Sequence, residues 1–71
     1  MPTHTPPLPN LRELRERAGL TQQQLADAAG VRVMTVSEHE RGVPADAPLS
    51  VALRLAGALG VSVETLTQEP P

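Results

Sequence analysis

The sequence predicts an all-α fold, a compact domain of five short helices. Three observations carry that prediction. The first is punctuation: Gly19, Gly30, Gly42 and Gly60 each close an apolar or amphipathic stretch and precede a new start. A helix favours a residue of left-handed conformation just past its last turn. The second is capping: Asn10, Thr21 and Ser62 precede helical spacings, and Glu13 and Gln24 complete capping-box patterns with the first two. The third is periodicity, since apolar residues recur at three- and four-residue spacing and no stretch alternates like a strand of useful length.

Each element follows in turn. Residues 1–9 hold Pro2, Pro6, Pro7 and Pro9 and no charged side chain, which predicts a disordered, proline-rich tail. The folded domain is expected over residues 10–67, and 68–71 read as a C-terminal tail. Leu11, Leu14 and Ala18 give the first helix its apolar side. Arg12 with Glu16 and Glu13 with Arg17 give its wet side two i,i+4 pairs. The second helix starts at Thr21 and carries Leu25, Ala26 and Ala29 inward. A tight turn at Gly30 leads into a third, over about Val33 to Arg41, with Arg32 where a Ser or Thr cap would stand. Val43 to Pro48 is a loop, with two prolines and Asp46. The fourth helix presents Leu49, Ala52, Leu53, Ala56 and Leu59 along one side. Gly57 interrupts it, at about 1 kcal/mol relative to Ala, a cost that close packing would explain. Ser62 caps a last short helix through Leu66, with Glu64 near its positive end. There is no internal repeat.

Composition narrows the function. At 71 residues the chain is one domain that buries only about 60% of its unfolded surface. There is no cysteine, so neither a disulfide nor a thiolate metal site is expected, and a cytoplasmic location fits. No apolar run approaches the roughly 20 residues of a membrane span, and no signal peptide is visible. With no aromatic residue, the core must be Leu, Val and Ala, and base stacking on aromatic rings is excluded. The net charge of −2 withholds the basic excess that usually marks a nucleic-acid binder. Glu38, His39 and Glu40 are chain neighbours on a helix and do not share a face, so no metal site is expected. His39 reads as a partly buried, satisfied histidine, and His4 as idle. No acid, base and nucleophile converge, so no catalysis and no cofactor is expected.

Three stretches together resemble the lambda-repressor-like (Cro/repressor-type) helix-turn-helix family over about Leu11 to Leu66. They are L-R-E-L-R-E-R-A-G-L-T-Q-Q-Q-L-A, then G-V-x5-S-E-x-E-R-G, then L-R-L-A-G-A-L-G-V-S-V-E-T-L. The resemblance implies five helices, with the second and third forming a DNA-reading unit. It also implies a transcriptional regulator, repressor-type, working as a homodimer on a palindromic operator in double-stranded DNA. Gln22 matches a glutamine that touches a phosphate and braces the reading helix. Arg32, Val33, Met34 and Glu38 match positions facing base edges or the adjacent backbone, and Thr35, Ser37 and Arg41 flank them. Arg15 and Glu40 match a salt bridge that ties the first helix to the third.

At the working surface the sequence departs from the family. Val33 and Met34 stand where the family favours hydrogen-bonding side chains. They fit a thymine methyl group, or they form an apolar patch for self-association or a protein partner. Glu38 fits cytosine N4 as an acceptor, or it repels phosphate. Two functions therefore stand side by side: sequence-specific DNA reading, and a protein-interaction domain of the same fold that uses the Val33–Met34 surface.

Overall fold

A computed structural model describes residues 4–5, 8–42 and 47–68. Among them, five helices run in the expected order: α1 (Leu11–Arg17), α2 (Gln22–Ala29), α3 (Val33–Glu40), α4 (Leu49–Leu59) and α5 (Val63–Thr67). A minimal pairing joins β1 (His4–Thr5) to β2 (Ala47–Pro48), antiparallel, with His4 opposite Pro48 and Thr5 opposite Ala47. Two residues per strand are too few to register as periodicity.

The local chemistry explains most boundaries. Thr21 accepts a hydrogen bond from the Gln24 backbone N–H, and the Gln24 side chain accepts one from the Thr21 N–H. That reciprocal pair fixes the start of α2. Ser62 Oγ accepts from the Thr65 N–H and starts α5. The expected i,i+4 pairs of α1 form, Arg12 with Glu16 at 3.4 Å and Arg17 with Glu13 at 2.9 Å. The four punctuating glycines are the ones with positive φ.

The core joins Leu11 of α1, Leu25, Ala26 and Ala29 of α2, Val36 of α3, Ala52, Leu55 and Ala56 of α4 and Leu66 of α5. It is wholly aliphatic apart from the buried His39.

The structure corrects four expectations. Within the stretch expected to be a disordered tail, His4–Thr5 pair with β2 and Leu8 is buried in the core; residues 1–3 and 6–7 lie outside the described residues. Asn10 does not cap α1. Its ψ of 1° is not extended, and its amide donates instead to the carbonyls of Thr65 at 2.8 Å and Gln68 at 2.5 Å, across the end of α5. The inward side of α4 is Ala52, Leu55 and Ala56, while Leu49 and Leu53 are exposed. A helix with this many apolar residues offers more than one stripe, and only its neighbours decide which is buried. Gly57 is exposed, and a Cβ there would meet nothing within 4 Å, so close packing does not explain it. The expected loop residues Val43 to Asp46 lie outside the described residues.

Candidate nucleic-acid interface

The α2–turn–α3 unit is built from the turn outward. Gly30 has φ +72°, and the Val31 N–H reaches back to the Ala26 carbonyl at 3.0 Å, closing the C-terminal end of α2. An L side chain is strained in that conformation. A Cβ on Gly30 would also stand 3.1 Å from Nη1 of Arg54 on α4, the far end of an exposed side chain that can give way. Arg54 therefore lies against the turn. It also brings a positive charge to the end of α2, whose own last turn has none. Nothing in the sequence singled Arg54 out; the only signal was a glycine that leaves room.

The rear of α3 is held by charge. Arg15 of α1 donates from Nε to Glu40 Oε2 at 2.5 Å and from Nη2 to Oε1 at 3.0 Å. Its Nη1 donates to the Leu20 carbonyl at 2.8 Å, tying in the α1–α2 connection. Gln22, at the start of α2, adds an amide bond to Glu40 Oε1 at 3.1 Å. The two charged side chains are only 12% and 5% exposed. Burial works against the charge on Glu40, but the hydrogen bonds from Arg15 and Gln22 outweigh it and hold the carboxyl below its ordinary range. The bond to Glu40 likewise raises the Arg15 guanidinium, against its desolvation. The pair expected between Arg15 and Glu40 is thus in place, and Gln22 joins it.

The front of α3 is open. Met34 is 65% exposed and Val33 38%, while Val36 and His39 point into the core. Thr35, Ser37 and Glu38 are half-buried along the edges, and Arg32 and Arg41 stand exposed at the two ends. Arg32 makes no side-chain cap bond to α3. The structure thus brings Arg32, Val33, Met34, Thr35, Ser37, Glu38 and Arg41 together on one short helix. Gln22 stands at the far end of α2, with one of its two amide hydrogens given to Glu40.

A five-helix all-α domain whose third helix is braced behind and bare in front defines the helix-turn-helix class of transcription regulators. The helix-turn-helix family matches residues 11–66, and the chain belongs to it, in the Cro/C1-type branch. No curated protein is significantly similar in sequence. Among solved structures, the chain resembles the restriction-modification controller protein C.AhdI from Aeromonas hydrophila. The two are 38% identical with a TM-score of 0.76, over 80% of this chain and 85% of that one. It resembles SinR, the master regulator for biofilm formation, solved in complex with DNA, at 27% identity and TM-score 0.79, over 83% and 94%. It also resembles a hypothetical transcription factor, NHTF, from Neisseria, at 34% identity and TM-score 0.79, over 86% and 69%. Among the described residues, no helix is long and apolar enough to cross a membrane.

Proposed function

We propose that this chain is a sequence-specific DNA-binding transcription regulator, repressor-type, that lays α3 in the major groove. The observation that carries the reading is the division of α3 itself. Its back is fixed by Val36, His39 and the Glu40 ion pair, and its exposed front is flanked by Arg32 and Arg41. In the proposed complex Gln22, Arg32 and Arg41 contact phosphates, while Val33, Met34 and Glu38 meet base edges, with Thr35 and Ser37 beside them. Two subunits reading half-sites ~34 Å apart would match a palindromic operator. The likeness to SinR, whose structure was solved with DNA, supports this docking.

Selection of bound sequences from a random duplex library with the pure protein tests the proposal. One preferred sequence is expected. With only two arginines per subunit at the ends of α3, log K should fall against log salt with a slope of about −2 per subunit. Failure to enrich any sequence at low salt would sink the reading. A second function, protein docking on the Val33–Met34 surface, is favoured by the adjacency of two exposed apolar side chains. It finds support in SinR, which was also solved in complex with the SinI protein. In that case Met34→Asp abolishes partner binding, with little dependence on salt.

A further inference from the structure

Met34 and Glu38 are four residues apart on α3, so they share one side of the helix with Cβ atoms about 5–6 Å apart. Among the described residues Met34 is the most exposed of the large apolar side chains. Glu38 is half-buried, and among the described residues it belongs to none of the ion pairs, which are Arg12–Glu16, Arg17–Glu13 and Arg15–Glu40. A carboxylate only accepts hydrogen bonds. This edge therefore asks its ligand for a donor beside an apolar group.

The bases differ in what they offer there. Thymine puts its C5-methyl group next to the O4 acceptor, which a carboxylate repels. Adenine offers an amino donor beside N7, and guanine offers two acceptors. Cytosine offers the N4 amino donor, but its C5 is bare. A cytosine methylated at C5 joins the amino donor and a methyl group on one edge. We infer that the Met34–Glu38 edge of α3 selects 5-methylcytosine over unmodified cytosine in its half-site, an inference that rests on the DNA-reading function proposed above. Glu38 accepts from the N4 amino group and Met34 covers the methyl. A carboxylate and a thioether, poor tools for phosphate or guanine, thus become complementary to one modified base.

The test uses pure protein and the duplex recovered by selection from unmodified DNA. Each cytosine is replaced in turn by 5-methylcytosine, and each thymine by deoxyuridine, with affinity measured for every duplex. At one cytosine per half-site the added methyl should tighten binding about fourfold, the worth of burying one such group. Met34→Ala should bring the methylated and unmethylated duplexes to equal affinity. Glu38→Gln should erase the preference for cytosine at that position, because an amide both donates and accepts. Met34 is exposed, so its replacement leaves the core untouched. The inference is overturned if methylation is neutral or weakening at every cytosine while the unmodified duplex still binds specifically. It is also overturned if the Met34-dependent position proves to be a thymine that deoxyuridine weakens. If no duplex is bound specifically, the underlying DNA-reading function falls with it, and the two failures remain distinct.

Discussion

The chain passes from α2 to α3 and from α4 to α5 through the same joint. Gly30-Val31-Arg32 and Gly60-Val61-Ser62 each place glycine at φ near +70° and then bond the valine N–H back to an alanine carbonyl at 3.0 Å. They part at the third residue. Ser62 caps the helix it starts, and α5 turns Leu66 inward. Arg32 caps nothing, and α3 turns Val33 and Met34 outward. The bracing differs too: a buried ion pair holds α3, whereas the neutral amide of Asn10 holds the end of α5. One backbone solution thus serves either a closed structural corner or a helix with an open front. The cap residue and the brace decide which.

The largest break in that comparison should come from Glu40→Gln. It leaves Arg15 charged and enclosed, at a cost of about 3–5 kcal/mol in urea unfolding. The pH dependence has a definite sign. Because the Glu40 carboxyl titrates below its ordinary range in the folded state, its contribution is present above the unfolded-state value. It is lost as pH falls through the lowered value, and the variant should lack this acid-side loss. Next in size, alanine at Gly30 or Gly60 should cost about 1–2 kcal/mol each for the left-handed backbone. Gly30→Ala should cost slightly more, because the exposed Arg54 guanidinium must yield a little to the new methyl group. In an Arg54→Ala background that excess should vanish, which a double-mutant cycle would resolve.

Smaller effects test the caps. Ser62→Ala should lose about 1 kcal/mol, and Arg32→Ser should gain about as much by giving α3 the cap it lacks. If Arg32 contacts phosphate, the same change should weaken binding to all DNA alike. Least of all, Gly57→Ala should stabilise by about 0.5–1 kcal/mol, since the site is helical and open. Thermal unfolding would register it.

Local signals made the joints readable in sequence. Thr21, Gly30, Gly60 and Ser62 act within a few residues of themselves, so α2, α5 and the turn before α3 were legible. Arg15 and Glu40 were legible only through the family pattern, since their separation of 25 positions hides the pairing. What failed to show were the choices settled at long range. The Asn10 amide reaches Thr65 rather than its own helix, and Leu8 leaves a proline-rich stretch for the core. Leu53, 55% exposed, yields the inner side of α4 to Leu55. Arg54 at the Gly30 turn belongs to the same group.

The Asn10 clasp has a topological consequence. Its two bonds span 55 and 58 positions of the chain, so the start of the first helix and the end of the last meet at one place on the surface. From Asn10 to Gln68 the folded unit is nearly a ring, closed by side-chain hydrogen bonds. A cross-link between positions 10 and 68 would restrict the unfolded chain and leave Leu8 seated in the core.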